Sequence, residues 1–251
     1  MTPKKFALLI RNIFYQKIKH PKKFKKYIDF KKLLENKKVC LVGPAEYVDK
    51  EFHNHGKIID SFDIVIRINN FINTDESLYN NYGIRMDVLI TSLWHDFRNT
   101  YCHKESYSEE NIDKPLLIYY QNGRLKKLFI SFFLTNDNIT ICEQPKRNLD
   151  ELLKLIKNPT TGMIAIFECL KCSPEELYIT GFTFGGDKKH KSYVDKYYKF
   201  WTPEKKVVNE KGFAGIHNVS SEFDLIKKLI KNNKNFVLDP YLRKEIFHLD
   251  Y

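Results

Sequence analysis

Short runs of aliphatic and β-branched residues recur along the chain, each bounded by polar or turn-forming residues: Val39–Val42, Ile64–Ile68, Val88–Thr91, Leu116–Tyr120, Ile139–Cys142, Leu177–Thr180 and Phe236–Leu238. Continuous apolar runs without alternation predict strands buried on both faces. Between them, apolar residues at helical spacing predict helices over roughly 46–55, 122–133, 148–157, 162–172, 190–200 and 221–232. The alternation predicts βαβ units and so an α/β fold: one Rossmann-like domain with a mostly parallel central sheet flanked by helices. No internal repeat or low-complexity linker divides it; the polar, strandless stretch 95–114 reads as a long loop, and 183–215, around its helical segment, as another. Open sheets of this kind bind ligands beyond the carboxyl ends of their strands, so residues just after strands are the first candidates for chemistry.

Three strand ends stand out. The first strand runs into "VCLVGPAEYVDKEF", where Gly43 permits a tight turn and close backbone approach, with Pro44 and Ala45 leading into a helix. This is not the G-x-G-x-x-G pattern, because Pro44 and Glu46 break it. The second, "GKIIDSFDIVIRINN", puts Arg67 and Asn69 on one face of a strand and carries Asn69 and Asn70 to its carboxyl edge. Their amides suit phosphate or ribose, while the plainer reading pairs Arg67 with Asp60 or Asp63 and leaves the asparagines to cap a turn. In the third, "NPTTGMIAIFECLKC", Thr160 or Thr161 is an N-cap and Gly162 leaves the first helical turn open. A helix N-terminus, with free N–H groups and about half a positive charge, suits phosphate or carboxylate, while the plainer reading of this stretch alone is an ordinary cap.

Charge changes the picture at one end only. Of the 42 Lys and Arg residues, 13 lie in residues 1–38 against two acids, Asp29 and Glu35, which leaves 29 of each sign in the rest. The body is neutral, so no nucleic-acid partner is expected there, and residues 1–38 read as a basic amphipathic arm preceding a domain over 39–251. Phe6, Leu8, Leu9, Ile10, Ile13, Phe14 and Ile18 are set among its lysines. The arm is either a solvated basic helix or one lying on an anionic membrane surface, with nucleic-acid binding a third reading. Its apolar run Phe6–Ile10 is too short to span a bilayer and lacks the flanks of a cleaved signal, so a cytoplasmic chain, peripheral on the inner face of a membrane if the arm binds lipid, is expected. The cysteines Cys40, Cys102, Cys142, Cys169 and Cys172 are odd in number and read as reduced thiols packed in the core. Cys169 and Cys172 have no second Cys/His pair at zinc-site spacing, and no metal site is expected.

Taken together, "CLVGPAEYVDKEFHNHGKIIDSFDIVIRINN" and "YGIRMDV" resemble the large motif of the animal-type sialyltransferases, through Cys40, Gly43, Gly56, Ile59, Asp60, Asp63, Val65, Arg67, Asn69, Gly83, Arg85 and Asp87. "NPTTGMIAIFECLKCSPEELYITGF" is similar to the small motif, "HKSYVD" to the third, and "HNVSSE" to the very small motif through His217 and Glu222. The resemblance covers roughly residues 39–232, with the motifs in order. Departures are Pro44 where the family usually has Asn, the loose third motif, and Cys172, one residue out of step from Gly162. Cys40 and Cys172 fall near the family's motif-to-motif disulfide.

The resemblance implies a variant GT-A type glycosyltransferase fold and an inverting transfer of sialic acid from CMP-sialic acid to a glycan or glycolipid hydroxyl, as in lipopolysaccharide or capsule synthesis. CMP-Kdo is the alternative donor, and a basic-arm RNA- or membrane-binding protein with an inactive fold is the alternative of another class. It implies His217 as catalytic base, a role an imidazole near neutrality can fill. His190, with Tyr193, Asn69, Thr160, Thr161 and the Gly162 amide, would stabilise the departing phosphate. Asn70, Gly43, Pro44 and Ala45 would line the nucleotide, and Gly181 and Phe182 the cytosine. Glu222 would hold the loop or cap the helix rather than touch substrate. With no Asp-x-Asp and a monophosphate leaving group, neither metal nor cofactor is expected.

Overall fold

The computed structural model describes residues 24–25, 27–68, 76–91, 116–120, 139–184, 187, 189–190 and 219–249. Eight strands form one sheet: β1 Phe24–Lys25, β2 Lys38–Val42, β3 Ile64–Ile68, β4 Val88–Thr91, β5 Leu116–Tyr120, β6 Ile139–Glu143, β7 Glu176–Thr180 and β8 Phe236–Leu238. Their order is β1-β6-β5-β4-β3-β2-β7-β8, and every pairing is parallel. All seven expected strands are present within a residue of their expected ends.

The central strands are buried on both faces, as a parallel sheet between helices requires. Each residue of β3 is buried, Arg67 included, and Val39, Cys40, Leu41 and Val42 of β2 are wholly so. The helices are α1 Tyr27–Leu34, α2 Tyr47–Glu51, α3 His55–Asp60, α4 Tyr79–Tyr82, α5 Lys146–Leu155, α6 Thr161–Lys171 and α7 Val219–Asn232. A π-helical turn, Leu242–Ile246, follows β8. The helix expected over 46–55 is two, because the chain turns at Asn54 with a left-handed φ of 58°. The helices expected over 122–133 and 190–200 fall on segments beyond the described residues, apart from His190.

The expected boundary at residue 38 cuts through structure. β1 pairs with β6, and α1 packs on both, with Phe30 and Leu34 wholly buried. Residues 24–38 therefore belong to the body, and the arm's first 23 residues lie outside those described. α6 carries Gly162 to Ile166 and Cys169 into the core and packs against β3, β4 and α5. Among the described residues no helix is long and apolar enough to cross a membrane.

Candidate functional site

The sheet order reverses at β2: β3 to β6 extend from one side of it, β7 and β8 from the other. In an open parallel sheet the ligand crevice lies outside the carboxyl ends at such a reversal. Three of the expected segments meet there. Gly43, Pro44 and Ala45 follow β2 and Gly181 and Phe182 follow β7, all of them buried, while Phe182 packs on the first turn of α6. The Gly43 N–H donates to Thr180 O at 2.8 Å and the Ala45 N–H to Gly181 O at 2.9 Å. A Cβ on Gly43 would stand 2.2 Å from Gly181 O, and one on Gly181, whose φ is +77°, 2.1 Å from Gly43 O. The space these glycines leave is filled by each other's backbone. Gly162 is similar: its Cβ would meet the Phe182 ring at 2.8 Å.

Thr160 is the N-cap of α6, its hydroxyl accepting from the Met163 N–H at 3.2 Å. The same hydroxyl donates to Glu222 Oε2 at 2.9 Å, and the Thr160 N–H donates to Glu222 Oε1 at 2.5 Å. Glu222 lies in the first turn of α7 and is 3% exposed. Through these bonds it serves the cap of α6, a helix distant in sequence. With Thr160 as the cap, the first-turn amides of Thr161 and Gly162 have no acceptor within their own helix, the geometry that favours an anion.

Beneath these loops runs a buried polar network. The Tyr47 hydroxyl accepts from the Gly181 N–H at 2.6 Å and donates to Asp239 Oδ2 at 2.6 Å, and Asp239 Oδ1 accepts from the Leu242 N–H at 2.7 Å. The Thr180 hydroxyl bonds Asp239 and Tyr47 and lies 3.3 Å from His55 Nε2. Burial pushes Asp239 up to about 6 against the hydrogen bonds that favour its charged form. Burial pulls His55, stacked on Phe52 at 4.3 Å, down to about 4. The Tyr82 hydroxyl donates to Ala45 O at 2.6 Å, so a second tyrosine fixes the loop after β2.

His190 sits to one side of this edge with its side chain 6% exposed. Its Nε2 is 2.9 Å from Glu51 Oε1, and its Nδ1 is 3.1 Å from Asp187 Oδ2 and 2.8 Å from the Tyr241 hydroxyl. Lys189 pairs with the same Glu51 at 2.5 Å and holds that carboxyl below its ordinary range. Both His190 nitrogens are thus engaged by protein groups. Tyr241 stacks on Tyr47 with centroids 4.4 Å apart, which joins this cluster to the Gly181 turn.

The charged residues of the large motif gather elsewhere. Asp63 Oδ2 accepts from the Lys38 N–H at the start of β2 (2.9 Å), and Asp87 Oδ2 from the Val65 N–H in β3 (2.8 Å). Asp60 accepts from the amides of Ile84 and Arg85, and Arg85 donates to Asp60 O, Phe62 O and Asp63 O as well as to the Asp87 carboxylate. Arg67 lies beside this cluster, with Asp60 as its strongest charged neighbour. It donates to Arg85 O (3.0 Å), Tyr82 O (2.7 Å) and Gly83 O (3.1 Å). Burial pulls its pKa down to about 10, with Asp60 the largest opposing influence, so it remains a cation at neutral pH.

The structure therefore brings together Gly43, Pro44, Ala45, Thr160, Thr161, Gly162, Gly181 and Phe182, and sets His190 beside them. His217, Asn69, Asn70 and Tyr193 lie outside the described residues. Cys40, Cys142, Cys169 and Cys172 are buried free thiols, and Cys102 lies outside the described residues. Among the described residues no three His, Cys, Asp or Glu side chains are grouped so as to hold a metal ion. Tyr47, Tyr241, Glu51 and Asp239 were not expected. Asp239 follows β8 directly, so the strand-end rule would have reached it; the two tyrosines carry no local signal.

No protein-family model matches the chain, and no curated protein matches it in sequence. In fold it is similar to a solved mammalian sialyltransferase, with a TM-score of 0.51, 14% identity, and 81% of this chain and 69% of that one covered. At that identity the likeness is one of fold.

Proposed function

We propose that this chain is an inverting transferase that moves sialic acid from CMP-sialic acid to a hydroxyl of a glycan or glycolipid. The observation that carries the reading is the pair of hydrogen bonds from Thr160 to Glu222. They tie the start of α7 to the start of α6, and His217 precedes Glu222 by five residues. A base borne on that short tether and an anion held at the α6 N-terminus are within reach of one substrate. The loops after β2 and β7, at the reversal of strand order, supply the adjoining crevice for the nucleotide.

In the proposed step the acceptor oxygen attacks the anomeric carbon from the face opposite CMP. His217 takes the hydroxyl proton, the bond from the anomeric carbon to the phosphate oxygen breaks, and its electron pair leaves with CMP. Thr161 and the amides of the first α6 turn receive the charge that develops on the phosphate, aided by Asn69, Asn70 and Tyr193. His190 can join them only by exchanging its Glu51 contact. The reading needs no metal ion or cofactor, because the leaving group is a monophosphate. The basic arm would lie on an anionic membrane surface, where a glycolipid acceptor is presented.

The test is release of CMP from CMP-sialic acid and CMP-Kdo by the purified full chain, side by side, in excess EDTA and with glycan acceptors. Turnover of CMP-sialic acid supports the reading; turnover of CMP-Kdo alone moves the donor to that ulosonate. If neither is bound or turned over, the transferase reading is wrong, and activity abolished by EDTA would overturn metal independence. Flotation on anionic and neutral vesicles, with and without residues 1–23, tests the arm, and equal binding to both vesicles would sink its lipid role.

A further inference from the structure

We propose that Tyr47 and Asp239 are positioning residues for the nucleotide: a buried phenol-carboxylate pair that holds the Gly181 turn in the conformation a CMP-linked donor requires. This rests on reading the carboxyl edge as the donor site. Gly181 has a φ of +77° and stands against Gly43 with no room for a Cβ on either. Its N–H donates to the Tyr47 hydroxyl at 2.6 Å, and that hydroxyl donates in turn to Asp239 at 2.6 Å. Tyr47 is wholly buried and its ring is held parallel to Tyr241, 16° from coplanar. Asp239 is held by the Leu242 N–H. The hydroxyl cannot move without breaking both bonds.

A phenylalanine at 47 would fill nearly the same volume, so the hydroxyl is not needed for packing. Its partners are the Gly181 amide, Asp239 and the Thr180 hydroxyl. Rotation of the Gly181 peptide would carry the next residue with it. That residue is Phe182, whose ring packs on Gly162 at the α6 N-terminus and stacks on Phe184 at 5.5 Å. One phenol thus sets the relation between the loop after β7 and the amides at the start of α6. Tyr47 comes from α2, which itself begins just after the Gly43 loop, so the same residue joins both loops of the reversal.

The test is titration of CMP into the unaltered full chain and into Tyr47→Phe, Asp239→Asn, the double variant and Arg85→Lys, with thermal melts of each. Tyr47→Phe and Asp239→Asn should each weaken CMP about 10-fold, and the double variant by little more than either alone, since both remove one coupled contact. In transfer assays the donor KM should rise by the same factor, with kcat within about threefold. Arg85→Lys, which breaks contacts at the opposite edge, should lower the melting temperature and leave CMP affinity unchanged. The inference is overturned if Tyr47→Phe and Asp239→Asn bind CMP as the unaltered chain does, or if Arg85→Lys weakens it equally for the same loss of melting temperature. Tyr47→Phe keeps the ring and its stacking, so it carries the test should Asp239→Asn not fold. No CMP binding by the unaltered chain removes the donor-site reading and this inference together, a result distinct from equal binding by all variants.

Discussion

The two edges of the sheet use the same sequence motifs for different work. At the amino edge of β2 to β4 the residues are charged, and their charges meet backbone: Asp63, Asp87, Asp60 and Arg85 bond amides and carbonyls around the strand entries, while Arg67, further along β3, reaches the carbonyls of Tyr82, Gly83 and Arg85. At the carboxyl edge the residues are small or hydroxyl-bearing: Gly43, Ala45, Thr160, Thr161, Gly162 and Gly181. A parallel strand entering the sheet leaves amides and carbonyls that buried surroundings cannot solvate, and fixed charges satisfy them. The carboxyl edge does the reverse: the missing side chains of Gly43 and Gly181 let two loops meet backbone to backbone, and the first-turn amides of α6 have no acceptor within their helix. The motif's Asp60, Asp63, Asp87 and Arg85 therefore mark strand entries rather than the loops at the carboxyl edge.

The comparison is broken most forcefully at the buried charge of β3. Arg67→Met should cost about 3–5 kcal/mol in chemical denaturation, because it strips a buried donor from three carbonyls, and should leave CMP affinity of the folded fraction unchanged. Lost CMP affinity with stability intact would place Arg67 at the ligand. For the proposed base the pattern should invert: His217→Ala should slow transfer about 100-fold or more with an unaltered melt and unaltered CMP binding. A loss of only a few-fold would remove His217 from the base role.

Two buried titrations in the network beneath the carboxyl edge sharpen the contrast through pH. Asp239, pushed up to about 6, adds stability at low pH that is lost as pH rises from its unfolded value near 4 through 6. His55, pulled down to about 4, adds stability above its unfolded value near 6.5 that is lost as pH falls toward 4. The slopes oppose each other at roughly 2–3 kcal/mol each. Measured against the unaltered chain so that other carboxylates cancel, His55→Phe should lose stability as pH rises from 4 to 6, and Asp239→Asn should gain it. Parallel curves for all three proteins would show that neither group titrates in this range. The smallest effect belongs to the helix tie: Glu222→Ala should cost about 1–2 kcal/mol, and Glu222→Gln less. Transfer should fall further than stability, since the tether to His217 is released; unchanged transfer would remove Glu222 from the site.

Much of this was legible along the chain. The apolar runs marked seven of the eight strands found among the described residues, and a threonine cap at 160 or 161 followed from its place before an apolar helix, the fold choosing Thr160. β1 was not, since Phe24–Lys25 is two residues of a lysine-rich segment and becomes a strand only by pairing with β6. Nor were α1's place in the core and the break at Asn54, because both depend on what packs against them. Gly43 and Gly162 were expected to make room for a ligand; the residues they make room for, Gly181 and Phe182, are 138 and 20 positions away.

The sequence by itself determined the parallel α/β architecture and which loops would carry small residues and caps, because strand burial and helix capping are local physics written in residue type and period. Only the tertiary structure decided which charges are spent on the strand entries, that Glu222 caps α6 from another helix, and that Tyr47 and Asp239 hold the turn after β7. Those are contacts between groups far apart in the chain, and a hydrogen bond has no signature in sequence until the fold has set its donor and acceptor about 3 Å apart.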